Sequence, residues 1–363
     1  MGLSVLVAGG GTGGHLYPGI AVARELLARV PDAEVTFVGT STGLEARVLP
    51  HEGFALDTIR SAGLKGGSVR SIIRGIALLP VSAVDAWRVL SRRRPSVVIG
   101  VGGYSSGPVV LLAAVRGIPT LLMEQNAMPG VTNRLLARIV DTAAVTYQES
   151  ARFFGRKAVL TGNPVRPEFF ASTQDVARER EGTPGRVRVL VFGGSQGAHA
   201  INVAMADAAA TLAIGPPGLV VTHQTGEQDQ GLVRSAYQRA GLDARVEPFL
   251  FDMDREMKAA DLVVCRAGAT TLAELMAARR ASILVPLPTA TDDHQRHNAQ
   301  ALSAQGAVRV LDQRELDGGR LAAEVLAVAG DPDLRRSMEN AAKNLARPDA
   351  AKVIVDEVLA LAR

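Results

Sequence analysis

The feature of this sequence that most constrains its fold is a unit that occurs twice, in which an apolar run leads into a Gly-rich turn and then a helical segment. In the first half, residues 3–8 enter Gly-Gly-Gly-Thr-Gly-Gly-His at 9–15, and a helix is predicted from Pro18. In the second half, residues 187–192 enter Gly-Gly-Ser-Gln-Gly at 193–197, and an Ala-rich helix follows. The repeat predicts an α/β protein with two Rossmann-like domains.

Short apolar segments alternate with helical patterns along the whole chain, which predicts parallel sheets covered on both faces. Strands are predicted at 3–8, 34–39, 96–101, 118–123, 187–192, 218–222, 262–265 and 282–286. The 363 residues suffice for two cores. A linker is predicted at 162–167, where two prolines prevent a continuous helix, and an exposed polar connector at 172–186. Apolar positions at helical spacing predict a last helix from about Asp349.

Composition excludes several classes of protein. No apolar run reaches the roughly 18 residues that span a bilayer, and the N-terminus lacks the basic segment and cleavage site of a signal peptide, so we expect a cytoplasmic protein. The single cysteine, Cys265, allows no internal disulfide and is expected to be a small buried residue at a strand end. The net charge is +4, but no basic segment interleaves with the few aromatic residues, which argues against nucleic acid as a partner.

The turn at 9–15 predicts an anion site, because unpaired N–H groups and the helix dipole favour phosphate where glycines let the backbone approach. Gly9, Gly11 and Gly14 also fit the G-x-G-x-x-G pattern of dinucleotide-binding folds. An NAD site normally has an acidic residue at the end of its second strand, but none follows residues 34–39 until Glu45. The pattern therefore argues against a nicotinamide cofactor and leaves a phosphate loop for another nucleotide open.

Gly-rich or polar segments also follow four other predicted strands, at 102–108, 124–126, 193–197 and 266–271. Ligands of open parallel sheets bind at the carboxyl ends of the strands. One such turn is more often a plain connector, but four at equivalent strand ends predict a ligand site.

Three residues have side chains suited to chemistry at such a site. His15, beside the first Gly-rich turn, is a candidate general base. Glu274, one turn inside the helix after 262–265, can accept two hydrogen bonds from a ribose diol. Arg166, in the predicted linker, can complement phosphate charge. The pair Asp292-Asp293 is expected to start a helix, because acidic residues are preferred there.

Seven segments occur in order along the chain: GGGTGGHLYP at 9–18, GVGGYSSGP at 100–108, EQNAMPGVTN at 124–133, TGNPVR at 161–166, GGSQGAHAIN at 193–202, VVCRAGATTLAEL at 263–275 and DDHQRHNA at 292–299. Together they resemble the MurG family of bacterial peptidoglycan glycosyltransferases. Enzymes of that family transfer N-acetylglucosamine (GlcNAc) from UDP-GlcNAc to undecaprenyl-pyrophosphoryl-MurNAc-pentapeptide, which turns lipid I into lipid II.

The resemblance implies a GT-B fold, in which two Rossmann-like parallel-sheet domains face a cleft, and a final helix that crosses back to the first domain. The implied domains are an acceptor- and membrane-facing domain of residues 1–163 plus 348–363 and a donor-binding domain of residues 164–347. It also implies an inverting hexosyltransferase that needs no cofactor and no metal ion, with UDP-GlcNAc as a substrate.

Site residues follow from the resemblance position by position. His15 and Glu124 are the implied catalytic residues, and Gly103, Tyr104 and Ser105 are implied on the acceptor side. The implied donor-binding residues are Thr12, Gly13, Gly14, Asn126, Arg166, Ser195, Leu250, Ala269, Thr270, Thr271, Leu272, Ala273, Glu274 and Gln295. Among these, the backbone of Leu250 would read uracil, Glu274 would bind the ribose, and Gln295 would hold the GlcNAc hydroxyls, although His294 beside it is an alternative.

The acceptor implied by the resemblance, lipid I, requires contact with a membrane. Residues 69–94 mix apolar side chains and Trp87 with an excess of arginines, which is typical of an interfacial patch on anionic lipid. We therefore expect peripheral binding to the inner leaflet, on the cytoplasmic face of the cell membrane. The alternatives are another UDP-sugar enzyme of the same fold, either a transferase with a soluble acceptor or an epimerase, a nucleotide-sugar-binding module without catalysis, and a dehydrogenase.

Overall fold

The computed structural model describes residues 2–61, 69–170, 185–194, 197–216 and 218–363. The chain forms two compact units. Unit 1 consists of Met1–Val165 together with Arg347–Arg363, and unit 2 of Arg166–Ala346. Most of the predicted connector at 172–186 lies outside the described residues.

The strands are β1 (Ser4–Gly9), β2 (Glu34–Gly39), β3 (Ala55–Thr58), β4 (Val97–Gly102), β5 (Thr120–Glu124), β6 (Thr142–Val145), β7 (Ala158–Leu160), β8 (Val187–Phe192), β9 (Leu219–Gln224), β10 (Ala244–Glu247), β11 (Leu262–Cys265), β12 (Ala281–Leu284) and β13 (Val308–Val310). The helices are α1 (Gly13–Arg29), α2 (Glu45–His51), α3 (Val69–Arg93), α4 (Ser106–Val115), α5 (Val131–Leu136), α6 (Gln148–Ala151), α7 (His199–Ile214), α8 (Gln230–Ala240), α9 (Met253–Ala259), α10 (Ala269–Ala278), α11 (His294–Ser303), α12 (Gly318–Gly330), α13 (Pro332–Leu345) and α14 (Ala350–Leu361).

Each unit is built on one sheet whose strand pairs are all parallel. The seven-stranded sheet of unit 1 has the order β3-β2-β1-β4-β5-β6-β7, and the six-stranded sheet of unit 2 has the order β10-β9-β8-β11-β12-β13. All eight predicted strands are present, with ends within two residues of the prediction. The prediction of two Rossmann-like parallel-sheet domains is therefore confirmed.

The sheet of unit 1 is covered on both faces. Successive side chains of a strand point to opposite faces of the sheet, and those of β1 are apolar on both. Val5 and Val7 of β1 belong to a buried cluster that includes residues of α1 and α14. Leu6 and Ala8, which point to the opposite face, belong to a second cluster that includes residues of α3 and α4. In unit 2, alternate residues of β8 pack in the same way against α7 and α12.

The last helix, α14, follows Pro348 and belongs to unit 1 although it comes after the whole of unit 2. Its residues Ile354, Val355 and Val358 are buried in the cluster that also contains residues of α1. Arg29 of α1 forms an ion pair with Asp356 of α14. The predicted last helix is therefore present, and its apolar stripe completes the core of unit 1.

The start of α1 corrects the sequence prediction. The helix begins at Gly13, not at Pro18, so His15 lies in its first turn and Pro18 lies inside the helix. A proline within a helix lacks the N–H donor that the backbone pattern needs. Leu16, Pro18 and Ile20 are all buried on this helix, so packing against the sheet keeps it continuous through the proline.

Cys265 is fully buried at the end of β11, as expected, and burial raises the pKa of its thiol. Among the helices that the structure describes, none combines the length and the apolar character needed to cross a bilayer.

Candidate active site

The first Gly-rich turn connects β1 to α1 in a conformation that requires glycine. Gly9, Gly10 and Gly11 all have positive φ angles, and a Cβ atom on Gly9 would lie 2.3 Å from the carbonyl oxygen of Gly102. Thr12 is the N-cap of α1 in an extended conformation. The first turn of a helix has N–H groups without helical partners, so this turn has the geometry of an anion site. Thr12, Gly13 and Gly14 lie together at this helix start.

Three loops meet at the carboxyl edge of the unit 1 sheet, because β1, β4 and β5 are neighbours in it. The N–H of Gly10 donates to the carbonyl oxygen of Gly102 at 3.3 Å. The imidazole Nδ1 of His15 lies 3.3 Å from Oε1 of Gln125, which directly follows β5. The structure thus brings His15 together with the turns after β4 and β5.

The residues predicted on the acceptor side lie in the turn after β4. Gly103 has a φ of +84°, and a Cβ atom there would lie 2.6 Å from the carbonyl oxygen of Gly10. Tyr104 is exposed, whereas Ser105 is buried. Of this group, the Tyr104 side chain is the one accessible to a ligand at this edge.

Glu124, at the end of β5, is fully buried and makes a compact hydrogen-bonding network. Its Oε1 accepts from the N–H of Asn126 at 2.9 Å and from Nδ2 of the same residue at 3.2 Å. Its Oε2 accepts from the N–H of Gly130 at 3.1 Å and from Nδ2 of Asn133 at 2.9 Å. Burial raises the pKa of Glu124, and these four donors oppose that shift. The carboxyl group therefore shapes the loop that carries Asn126, and a part in proton transfer stays a prediction.

Glu45, the first acidic residue after β2, folds back onto the first Gly-rich turn. One of its carboxylate oxygens accepts from the N–H of Gly11 at 2.7 Å, and the other from the N–H and the hydroxyl of Thr40, each at 2.8 Å. Cβ atoms on Gly10 and Gly43 would lie within 2.6 Å of its carboxylate. In a dinucleotide-binding fold the acid near the second strand accepts from a ribose, whereas here it binds the protein's own loop.

In unit 2, the turn after β8 contains the second Gly-rich segment. Ser195, the predicted phosphate ligand of this turn, lies outside the described residues. Gln224, at the end of β9, donates from Nε2 to the carbonyl oxygen of Gly194 at 2.8 Å and accepts at Oε1 from the N–H of Leu250, also at 2.8 Å. Leu250 is buried. Its N–H is bonded within the protein, and its part in binding uracil stays a prediction.

A buried chain of polar side chains anchors α7 behind this turn. Nδ2 of Asn202 donates to the carbonyl oxygen of Thr225 at 2.9 Å, which leaves its Oδ1 to accept from Nε2 of His223 at 3.0 Å. Nδ1 of His223 then accepts from the hydroxyl of Tyr237 at 2.7 Å. Burial lowers the pKa of His223 to about 3, so the imidazole is neutral. This histidine has a structural role.

Helix α10 begins directly after β11, with Gly268 as its N-cap. Of its predicted donor-binding residues, Ala269 and Leu272 are buried, while Thr270, Thr271, Ala273 and Glu274 are partly accessible. Burial raises the pKa of Glu274 to about 7; the charge of Arg166 opposes the shift and that of Asp254 adds to it. Arg166 is exposed, and its guanidinium lies 5.1 Å from the Phe169 ring centre. The structure therefore places Arg166 close enough to Glu274 for the positive charge of the guanidinium to act on the pKa of the carboxyl group.

Gln295 lies in the first turn of α11, and its Oε1 accepts from the N–H groups of Ala267 at 3.2 Å and Leu287 at 3.0 Å. Its amide NH₂ is therefore the group suited to sugar hydroxyls.

Asp292 and Asp293 precede the helix with left-handed φ angles of 54° and 52°. Asp293 is the N-cap but makes no side-chain capping bond and pairs with Arg296 instead. The prediction that this pair starts a helix is confirmed.

Sequence reasoning missed Glu45, Gln125 and Gln224 as partners of the predicted loops. Gly39 and Gly43, which leave room for the side chain of Glu45, are the sequence signal for its position. Gln224 is the last residue of β9, and Gln125 directly follows β5. A polar side chain at the carboxyl end of a parallel strand is the sequence signal that points to both residues. Among the described residues, no group of three or more His, Cys, Asp or Glu side chains is arranged to hold a metal ion.

Two family models match the chain. The glycosyltransferase family 28 N-terminal domain matches residues 5–145, and the glycosyltransferase family 28 C-terminal domain matches residues 188–354. A protein of Pelobacter propionicus is 49% identical, over 98% of this chain and 99% of its own length. It is named UDP-N-acetylglucosamine–N-acetylmuramyl-(pentapeptide) pyrophosphoryl-undecaprenol N-acetylglucosamine transferase. A protein of Myxococcus xanthus with the same name is 47% identical, over 98% of this chain and 92% of its own length.

Solved structures agree with these matches. The crystal structure of Acinetobacter baumannii MurG has a TM-score of 0.81 and 30% identity, covering 99% of each chain. A UDP-GlcNAc 2-epimerase from Neisseria meningitidis, bound to UDP-GlcNAc, has a TM-score of 0.70 at 14% identity, covering 99% of this chain and 100% of its own, which is a likeness of fold alone. The resemblance to the MurG family is confirmed. Because two domain models match most of the chain and near-full-length relatives are almost half identical, the chain belongs to glycosyltransferase family 28.

Proposed function

We propose that this protein transfers GlcNAc from UDP-GlcNAc to the 4-hydroxyl of MurNAc in lipid I, with inversion at the anomeric carbon. The observation that carries the proposal is that a relative named as an N-acetylglucosamine transferase acting on N-acetylmuramyl-(pentapeptide) pyrophosphoryl-undecaprenol is 49% identical over nearly the full chain. The geometry supports it, since each unit has its candidate residues at the carboxyl ends of parallel strands. The donor would bind to unit 2 and the acceptor to unit 1.

Unit 2 has the groups that a uridine nucleotide needs. The start of α10 supplies backbone N–H groups for phosphate, and Glu274, a turn further along, is partly accessible to a ribose diol. The carbonyl of Leu250 and the NH₂ of Gln295 suit uracil and the GlcNAc hydroxyls. Arg166, whose charge acts on Glu274, would stabilise the negative charge that develops on UDP. Preorganised donors of this kind are typically worth about 3 kcal/mol each to the transition state.

Unit 1 supports the acceptor's chemistry and not a second nucleotide. Glu45 already accepts the N–H of Gly11 and fills the space beside Gly10 and Gly43, where its negative charge would repel another anion. Thr12, Gly13 and Gly14, in the first turn of α1, would face the acceptor diphosphate. His15, in the same turn, would then stand beside the reacting hydroxyl.

The reaction we propose is a single displacement. His15 takes the proton of the 4-hydroxyl, the oxygen forms a bond to C1 of GlcNAc, and the bond from C1 to the phosphate oxygen breaks with its electron pair leaving on UDP. General base catalysis contributes about 10²- to 10⁴-fold to such a step. Glu124, which shapes the neighbouring loop through Asn126 and Gly130, would support the site without leaving its buried network.

The acceptor's lipid tail calls for a membrane surface, for which we propose exposed apolar side chains on α3, α4 and the segment around α5. We call this set the apolar surface; it comprises Leu79, Val84, Trp87, Leu111, Val115, Leu135 and Ile139. Arg116 stacks over Trp87 at 4.5 Å. In the run at 92–94, Arg92 and Arg93 pair with Asp57, and Arg94 is exposed. Apolar and basic groups side by side suit an anionic lipid headgroup layer. This protein would accordingly bind the cytoplasmic face of the membrane peripherally.

The test is to incubate the protein with UDP-GlcNAc, with and without a short-chain lipid I analogue, and to follow the release of UDP and the glycosylated product. We expect UDP release that depends on the lipid-linked acceptor. Efficient transfer to a soluble MurNAc-pentapeptide, conversion of UDP-GlcNAc to its 2-epimer, or binding without turnover would each overturn the proposal. The variant His15→Ala is expected to lose about 10²- to 10⁴-fold in kcat.

A further inference from the structure

Gln125, directly after β5, contacts both β4 and the first turn of α1 at the carboxyl edge of the unit 1 sheet. The side chain is 2% exposed, and its Nε2 donates to the backbone carbonyl oxygen of Val101, in β4, at 3.1 Å. A carbonyl oxygen accepts hydrogen bonds and cannot donate them. This bond therefore decides which end of the amide faces β4, and it leaves Oε1 directed towards His15.

The amide orientation determines which ring nitrogen carries the hydrogen when the imidazole of His15 is neutral. Oε1 of Gln125 has no hydrogen, so the 3.3 Å contact with His15 is a hydrogen bond only if Nδ1 is the donor. A neutral imidazole that carries its hydrogen on Nδ1 has its lone pair on Nε2. We infer that Gln125 is a positioning residue that holds neutral His15 in the Nδ1–H tautomer, with Nε2 as its basic nitrogen. The meaning of this tautomer for catalysis rests on the proposed function.

Packing limits how the His15 ring can turn away from this arrangement. Gly102, at the end of β4, has a φ of +96°, and a Cβ atom there would lie 2.8 Å from Nδ1 of His15. The ring therefore lies against a backbone position that has no side chain. On its own helix, the N–H of His15 donates to the carbonyl oxygen of Thr12 at 3.2 Å, which places the residue within the first turn.

The tautomer decides what the imidazole can do for an acceptor hydroxyl. A general base must present a lone pair to the proton that it removes. In the Nδ1–H form that lone pair is on the nitrogen opposite Gln125, whereas the other tautomer would present a hydrogen there. The carboxylate of the adjacent Glu124 differs from the His15 imidazole in its hydrogen bonding, because both of its oxygens accept hydrogen bonds from the protein, donated by Asn126, Gly130 and Asn133.

The first test reads the tautomer directly in the isolated protein, without substrate. Long-range ¹H–¹⁵N correlation spectra of protein labelled at histidine distinguish a protonated from an unprotonated ring nitrogen, and His15→Ala assigns the signals among the six histidines. We expect a protonated Nδ1 and an unprotonated Nε2 on His15. The opposite tautomer in the wild type, or an unchanged His15 pattern in Gln125→Leu, would overturn the inference.

The second test separates positioning from folding. Gln125→Leu removes both hydrogen bonds, while Gln125→Glu keeps an acceptor for Nδ1–H. We expect Gln125→Leu to lower kcat by about 10- to 100-fold, the loss typical when the partner that orients a functional histidine is removed. The KM for UDP-GlcNAc should stay unchanged, and Gln125→Glu should recover most of kcat. The matched control is Gln305→Leu, at an exposed glutamine, which should have no effect.

The two tests also distinguish failure of this inference from failure of the proposed function. A protein with the Nδ1–H tautomer that transfers no GlcNAc would overturn the proposed function and leave the role of Gln125 intact. An active transferase whose His15 carries its hydrogen on Nε2 would overturn the role of Gln125 alone. If Gln125→Leu does not fold, the wild-type spectrum and Gln125→Glu still decide the question.

Discussion

The carboxylate of Glu45 accepts a hydrogen bond from the backbone N–H of Gly11 at 2.7 Å, and this bond joins two turns that are 34 positions apart in the sequence. The same carboxylate accepts from the N–H and hydroxyl of Thr40, and Glu45 is only 1% exposed. Burial raises the pKa of Glu45, but these hydrogen bonds outweigh it and hold the pKa below its ordinary value of 4.5. The first Gly-rich turn is thus fixed by a buried charge.

We expect Glu45→Gln to lower the free energy of unfolding by about 1–3 kcal/mol, because an amide NH₂ would face the N–H of Gly11 or Thr40 and leave a buried donor unpaired. Urea denaturation measures this change. The control is Glu52→Gln, at the end of α2, where a surface ion pair with Arg24 is lost and the change should stay within about 0.5 kcal/mol.

The effect of Glu45 should also depend on pH. Since its pKa is lower in the folded than in the unfolded state, its stabilisation is present above pH 4.5 and is lost as the pH falls through the folded-state pKa. The difference between wild type and Glu45→Gln should therefore shrink below pH 4.5. A difference that stays constant from pH 7 to pH 3 would contradict the ionised carboxylate.

Gly102→Ala tests the contact between β4 and His15. The added methyl group would lie 2.8 Å from Nδ1 of His15, so we expect the ring to move and kcat to fall at least about tenfold. Gly117→Ala is the matched control, because Gly117 also has a positive φ angle but no atom within 4 Å of the added Cβ. Both variants should lose about 1–2 kcal/mol of stability from the backbone strain. Equal kcat values for the two would show that the contact with His15 does not matter.

Glu274 should make donor binding depend on pH. Burial raises its pKa to about 7, and an ionised carboxylate is the stronger acceptor for ribose hydroxyls. We expect the affinity for UDP-GlcNAc, measured by calorimetry, to rise by up to about tenfold between pH 6 and pH 8 as the carboxylate ionises. Uridine, which has no phosphate to titrate, should show the same trend.

Two variants check the origin of that dependence. Glu274→Gln should bind more weakly and with little change between pH 6 and pH 8. Asp254→Asn removes a negative charge that raises the pKa of Glu274, so it should shift the rise in affinity to lower pH. An unshifted midpoint in Asp254→Asn would assign the titration to another group.

The apolar surface should control binding to vesicles. Trp87 and Val115 are 51% and 72% exposed, so replacing either with Glu should cost little stability but should weaken binding to anionic vesicles. Each basic residue near such a surface contributes about 1 kcal/mol, so high salt should also release the protein. Ile214→Glu, at an exposed apolar position of unit 2, is the control. Equal loss in all three variants, or binding that ignores salt, would contradict this surface.

The long central strands were predictable because each consists of a clear apolar run, as in β1 and β8. Five strands were missed, namely β3, β6, β7, β10 and β13, and each has only three or four residues. Four of the five lie at sheet edges, where one side of the strand has no neighbour and the sequence need not be apolar throughout. Their pairing depends on the sheet beside them more than on their own residues.

The sequence predicted the candidate residues that lie next to a Gly-rich turn, and not the side chains that hold those residues and turns in place. His15 and Glu274 stand out because each is an ionisable group next to a Gly-rich turn. The partners of His15 and Gly11 could not be found in this way, since Gln125, directly after β5, and Glu45, at the start of α2, are distant from them in sequence. The start of α1 was placed five residues too late because Pro18 suggests a helix start when packing is unknown.

The return of α14 to unit 1 has a consequence for synthesis on the ribosome. Unit 2 is one uninterrupted stretch of chain, so its core can close as soon as Ala346 has emerged. Unit 1 must wait for Ile354, Val355 and Val358, which are translated last, before its core is complete. The domain that is made first is therefore finished last, and a nascent chain that loses its final turns would release a folded unit 2 tethered to an incomplete unit 1.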